Sequence, residues 1–372
     1  MMEELKRREF GRLKILDSIR GIAALVVLYH HIFKLNKEVF QNNLSDTSFV
    51  IFDFVSGLNK EAVLLFFIIS GFSIGLSTLK RPLNDRKSIN GYFYRRFKRI
   101  LPIYWIAIFL SLLVGIGLNL LYLRDFSFLN LMGNLVFLQT SDSLPESWVI
   151  PYGMNGPLWS LSYEMFFYVL FPLVYFINKK FLKKLGLYTK YVALLLVILL
   201  GIIINKKVVF IPYFLFLIGF IIWIQGYISS YCFVMMKKKN LFFFLNLLVG
   251  LAITIANGKI PSDSIELIGK GMLLNGIFYF TMILTDGLNT QKIQKFIDAI
   301  FYKLGEGSYA IYALHYPLLI FFQEKGVSLI YQLLFLPLFI VCCYHLEKHS
   351  IRWKMTFLDR NYLKLIQFTA KS

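Results

Sequence analysis

Charge is scarce in this chain. Only 16% of its 372 residues are Asp, Glu, Lys or Arg, while 57% are hydrophobic. A soluble globular chain carries about 25% charged and about 45–50% apolar residues. The deficit excludes an ordinary water-soluble domain and points to an integral membrane protein, in keeping with a mean hydropathy of +0.63. Cysteine is scarcer still, present only as Cys232, Cys342 and Cys343. So few thiols exclude a disulfide framework, and none has metal-ligand spacing. Free packed thiols are the reading, and no metal is expected. The strict apolar–polar alternation of a transmembrane barrel is missing. So are a Walker-type glycine loop and a G-x-S-x-G elbow. No cleavable leader is expected, because residues 1–15 are polar and basic and no small-residue cleavage site follows the first apolar run. No repeat or low-complexity linker divides the chain, so one domain is expected over 1–372, with basic tails at 1–14 and 347–372.

What the chain does have is long apolar runs. A membrane helix needs about 20 apolar residues. Ten spans are read: 15–34, 61–79, 100–122, 158–177, 190–204, 208–226, 240–257, 266–284, 307–323 and 327–346. The fold class expected is all-α, a bundle of about ten transmembrane helices. A further stretch at 128–139 is too short to cross and reads as interfacial or re-entrant. The formal net charge is +19, and the basic residues lie in the loops. With the N-terminus inside, inner segments hold 30 Lys and Arg and outer segments hold 7. This bias predicts both termini in the cytoplasm of a multi-pass protein of the inner or plasma membrane. Loop charge of this kind reports topology, so no nucleic-acid partner is expected. It also favours contact with anionic membrane lipid or a phosphorylated ligand.

Four groups of residues could carry chemistry. In "IRGIAALVVLYHHIF", Arg20 and His31 are eleven positions apart. At 100° per residue they share one helix face, roughly 16 Å apart along the axis, while His30 is turned away. Ionisable groups inside a span are costly and functional by default. A neutral histidine in a low-dielectric site suits general-base work on a hydroxyl. The alternative is a helix–helix hydrogen bond from His31 and an Arg20 that snorkels to the headgroups. In "YFYRRFKRILPIYW", Arg95, Arg96 and Arg99 stand before the third span, with Arg96 and Arg99 on one face. Arginine forks suit phosphate oxygens. An ordinary positive-inside anchor is the alternative. In "NGPLWSLSYEMFFYVLFP", Glu164 is an intramembrane carboxylate that needs a partner. Trp159, Ser160 and Tyr163 beside it are candidate substrate contacts, the aromatics stacking on a sugar or forming an interfacial belt. In "GEGSYAIYALHYPLL", His315 lies mid-span with Pro317 two residues on. Ser70 and Gly71 in "FFIISGFSIG" read as small packing residues.

Taken in order, these motifs resemble the acyltransferase-3 family of integral membrane acyltransferases. The hallmark of that family is an Arg, ten residues and a His, and Arg20 and His31 fit it. "FFIISGF", "RRFKRILPIYW", "PLWSLSYEMFFYVLFP" and "GSYAIYALHYPLL" follow in the family's order, over about 13–350. The segment "YHLEKHS" departs from the Glu-Lys-Pro of many members, and Leu64 stands where a polar residue is frequent. The resemblance implies an O-acetyltransferase that moves an acetyl or other acyl group from cytoplasmic acetyl-CoA to a hydroxyl of an envelope polysaccharide or lipid-linked glycan. It implies His31 and Arg20 as the core pair, Glu164 and His315 as further catalytic residues, and Arg95, Arg96, Arg99 and Arg20 as the donor site. The competing reading is a transporter or exporter without acyl-transfer chemistry, with Glu164 as a proton relay.

Overall fold

A computed structural model describes residues 14–141, 147–180, 214–235, 239–259, 263–287 and 301–350, with isolated positions between 185 and 196. Twelve α-helices run through these residues: α1 (Lys14–Leu35), α2 (Lys37–Asn43), α3 (Asp46–Gly57), α4 (Asn59–Lys80), α5 (Arg86–Gly117), α6 (Phe128–Leu135), α7 (Trp159–Lys180), α8 (Phe214–Met235), α9 (Lys239–Lys259), α10 (Asp263–Gly287), α11 (Ser308–Glu324) and α12 (Leu329–Ser350). A further helical turn occupies 301–306. No strand occurs among the described residues. Eight described helical stretches are long and apolar enough to cross a membrane. This is an all-α membrane protein.

Nine of the ten expected spans overlap described helices, the span 208–226 from residue 214 on; apart from two isolated positions, 190–204 lies outside the described residues. Two boundaries differ for physical reasons. The helix expected from 100 begins at Arg86, because Asp85 accepts from the Ser88 backbone N–H and Ser88 answers toward the Asp85 backbone, a capping box. The Ser88 N–H also holds the exposed Asp85 carboxyl below its usual range. Helix α8 continues past 226 to Met235, and Ser229 beyond that point is paired inside the bundle. Ser229 donates to Asn275 Oδ1 (2.9 Å), and Asn275 Nδ2 donates to Asn246 Oδ1 (3.0 Å), joining α8, α10 and α9. In lipid such bonds, with close packing, replace the hydrophobic effect as helix glue.

Close packing rests on glycine. A Cβ on Gly71 of α4 would stand 1.9 Å from the Trp223 carbonyl oxygen of α8. One on Gly305 would stand 1.8 Å from the Asp17 carbonyl of α1, so residues 301–306 press directly on the start of α1.

Helix α6 has eight residues and spans about 12 Å, too short to cross. Its Phe128 and Leu129 are exposed while Asn130 and Asn134 are buried. Asn134 accepts from Tyr152 N (3.1 Å) and donates to Ile150 O (2.8 Å), so this connection is stitched in place ahead of α7.

Candidate active site

Five helices close around one cavity of about 50 Å³, room for a few water-sized groups. Its polar lining comes from Arg20 of α1, Ser70 and Ser73 of α4, Arg96 and Arg99 of α5, Ser160, Glu164 and Tyr168 of α7, and Ser308, Tyr309 and Tyr312 of α11. Three guanidinium groups and one carboxylate thus meet inside the bundle.

Arg20 and Glu164 are each held by hydrogen bonds. Arg20 donates to Asp17 (3.0 Å) and to Ser73 Oγ (2.7 Å). Glu164 Oε1 accepts from Ser70 Oγ (2.9 Å) and from the Tyr168 hydroxyl. Trp223 Nε1 donates to the same Ser70 Oγ (3.1 Å). The carboxylate is therefore oriented by hydroxyls that are themselves fixed. Arg96 stacks near the Tyr168 and Tyr92 rings, 5.7 and 5.9 Å from their centroids, within cation–π range. Residues Arg96 and Arg99 lie 10 and 13 residues into α5, inside the bundle rather than at a helix mouth. Arg95, one position round the helix, does not line the cavity.

The histidines gather elsewhere. His31 meets His315 edge to face at 5.0 Å and Tyr316 at 4.7 Å. His315 Nδ1 lies 2.9 Å from the Ile311 carbonyl, which can only accept. The proton is therefore on Nδ1 and Nε2 is left as an acceptor. Nε2 of His315 and Nδ1 of His31 are both buried without a hydrogen-bond partner. His30 turns to α3, with Nδ1 2.9 Å from the Ser56 carbonyl.

Helix α11 joins the two clusters. Tyr309, Tyr312 and His315–Tyr316 follow at helical spacing, the first two on the cavity and the last pair on His31. Tyr312 sits 6.2 Å from His315 by ring centroids and 2.7 Å from Ser160 Oγ by its hydroxyl. The base of α11 is fixed by Glu347, 3% exposed, which accepts from the backbone N–H of Tyr309 (3.1 Å) and Ala310 (3.0 Å). A carboxylate at a helix N-terminus satisfies free amides and opposes the helix dipole. Glu347 belongs to "YHLEKHS", and with His349 instead of proline α12 continues to Ser350.

Of the substrate candidates, Ser160 lines the cavity and Trp159 is half-buried. Tyr163 is 3% exposed, with its ring stacked on Phe216 at 4.1 Å, so its surroundings in this structure are protein. Sequence reasoning passed over Tyr168, Ser73, Tyr309, Tyr312 and Glu347. The one available signal was spacing: Tyr168 is one helical turn after Glu164, and Ser73 three residues after Ser70. No group of three His, Cys, Asp or Glu side chains able to hold a metal occurs among the described residues.

Prolines shape both clusters. Pro172 of α7 has no amide proton, so the Tyr168 carbonyl four residues earlier loses its helical partner. The Tyr92 hydroxyl of α5 donates to it instead (3.2 Å).

The chain is 31% identical over 170 residues to Acyltransferase MdmB of Streptomyces mycarofaciens. That alignment covers 45% of this chain and 41% of the relative, so the chain spans less than half of that protein's length. No solved structure matches. The profile of a family described as an acyltransferase domain matches residues 13–347, nearly the whole chain, and the protein belongs to this acyltransferase-3 family.

Proposed function

We propose that the protein is a membrane O-acyltransferase that takes an acetyl or other short acyl group from coenzyme A and delivers it to a carbohydrate hydroxyl of the cell envelope. One observation carries the reading. Three arginines converge on one cavity, and a stripe along α1 and α11 leads from it to the paired imidazoles of His31 and His315. Arg20 and His31 are separated by roughly 16 Å along α1. The pantetheine arm of coenzyme A separates its phosphates from its thioester by a comparable length.

In this reading Arg20, Arg96 and Arg99 hold donor phosphates at the cytoplasmic side that the loop charges indicate. The thioester then reaches His31. The acceptor hydroxyl attacks the thioester carbonyl carbon, and His31 takes the hydroxyl proton. The carbon–sulfur bond breaks and the departing thiolate recovers that proton. His315 orients His31, and Glu164 organises the cavity through Ser70 and Tyr168. The acceptor is a polysaccharide or lipid-linked glycan approaching from the outer side, past Trp159 and Ser160.

The test is coenzyme A release by purified protein given acetyl-CoA and envelope glycan. Transfer that depends on His31 supports the reading. Undiminished transfer in a folded His31→Ala protein sinks it, and solute flux without coenzyme A release would favour a transporter.

A further inference from the structure

His315 lies on a stretch of α11 that cannot hold its own shape. Pro317 lacks an amide proton, so the Ala313 carbonyl has no partner within the helix. Removing that bond allows more than one bend angle between Ala313 and Pro317. A single outside donor closes the gap. Asn155, in the connection just before α7, donates from Nδ2 to the Ala313 carbonyl at 3.0 Å. The bond is sealed from solvent, with Asn155 0% exposed.

The orientation of this amide is informative. Because a carbonyl can only accept, Nδ2 must face Ala313 and Oδ1 must face away. Oδ1 is then buried with no partner. The connection also touches the histidine cluster one residue on. A Cβ built on Gly156 would lie 3.8 Å from the Tyr316 ring, and that ring packs on His31. Asn155 therefore acts at the bend that carries His315 and on the segment that backs Tyr316.

We infer that Asn155 is a positioning residue: by filling the carbonyl that Pro317 opens, it selects the one bend of α11 that sets His315 against His31. This rests on the acyl-transfer reading above. Misplacing a catalytic group by about 1 Å can cost about a hundredfold in rate. Asn155→Ala is therefore expected to lower kcat by about tenfold or more, with donor KM within about twofold, because the arginine cavity is untouched.

The test is a cycle with Pro317→Ala, which restores the amide proton and lets Ala313 bond within its own helix. In the Pro317→Ala background, adding Asn155→Ala should change kcat by less than about twofold. Additive losses in the double variant overturn the proposal. Asn155→Leu, which keeps the shape of the side chain but has no donor, serves in place of alanine should Asn155→Ala fail to fold. The bend is also read without chemistry, by the distance between spin labels at Gln41 and Gln323, both exposed, in a Cys342→Ser background. Asn155→Ala should shift or broaden that distance only when Pro317 is present. An unchanged distance sinks the positioning claim. A changed distance with normal transfer instead sinks the assignment of His315, so the two failures are told apart.

Discussion

The imidazole of His31 stands at 89° to that of His315, with ring centroids 5.0 Å apart. Hydrogen bonding to Ile311 leaves His315 Nε2 an acceptor, so the pair offers a proton-accepting edge inside the bundle. General-base catalysis contributes about 10²–10⁴ in rate. His31→Ala should lose transfer by a factor in that range. His315→Ala should lose less, and the double variant should be no worse than His31→Ala alone, because residues acting as a unit are not additive. Single-turnover coenzyme A release measures this, and additive losses would separate the two roles.

His30 provides the contrast. It is adjacent in sequence and its ring lies 4.9 Å from His31, yet its Nδ1 is tied to Ser56 on α3. His30→Ala should loosen the α1–α3 contact and lower the melting temperature in detergent, with transfer kept within a few-fold. A loss of transfer equal to that of His31→Ala would show that the helical phase was misread.

Arg96 faces the cavity, stacked near Tyr168. A charge-assisted bond contributes about 1.5–3 kcal/mol, about tenfold or more in affinity. Arg96→Gln should raise KM for acetyl-CoA by that factor. It should leave acetyl-pantetheine, which lacks the phosphates, nearly unchanged. Arg95→Gln should leave KM for both donors nearly unchanged, since Arg95 does not line the cavity. Comparing the two donors for each variant checks whether the arginines read phosphate.

The parts of this site that were legible in the sequence are those that break a rule. Arg20, His31, Glu164 and His315 interrupt apolar runs, and an ionisable group in a span demands a reason. Tyr168, Tyr309 and Tyr312 break no rule. Tyrosine is unremarked in a membrane helix, and only the meeting of α1, α4, α5, α7 and α11 makes these three into cavity walls. Pro172 and Pro317 each announced an open carbonyl four residues earlier, but the donors that fill them come from distant segments, Tyr92 and Asn155. The start of α5 was missed because an apolar count begins where charge ends, whereas the helix begins at its cap on Asp85. The extension of α8 was missed because Ser229 reads as an ending until Asn275 is seen beside it.

The α4–α8 contact makes a prediction about folding. A Cβ at Gly71 would meet the Trp223 backbone at 1.9 Å, and backbone cannot step aside as a flexible side chain can. Overpacking of this kind costs about 1–3 kcal/mol or more. Gly71→Ala should lower the melting temperature markedly and shift Trp223, whose indole donates to Ser70. Gly57→Ala is the control, because nothing lies within 4 Å of a Cβ there. Equal melting of both variants would contradict the close crossing.

Tyr92 tests the link between helix shape and the carboxylate. Its hydroxyl fills the Tyr168 carbonyl opened by Pro172, while its ring lies 5.9 Å from the Arg96 guanidinium. Tyr92→Phe keeps the ring and removes only the donor. A buried carbonyl left open costs about 1–3 kcal/mol. The strain falls on Tyr168, whose hydroxyl holds Glu164. Tyr92→Phe should therefore lower both stability and kcat, with donor KM retained because Arg96 keeps its aromatic neighbours. Pro172→Ala restores the missing amide proton, so Tyr92→Phe made in that background should cost clearly less than it does with Pro172 present. If the cost is the same with and without Pro172, the Tyr92 hydroxyl acts by another route, and the dependence of the carboxylate on this carbonyl is wrong.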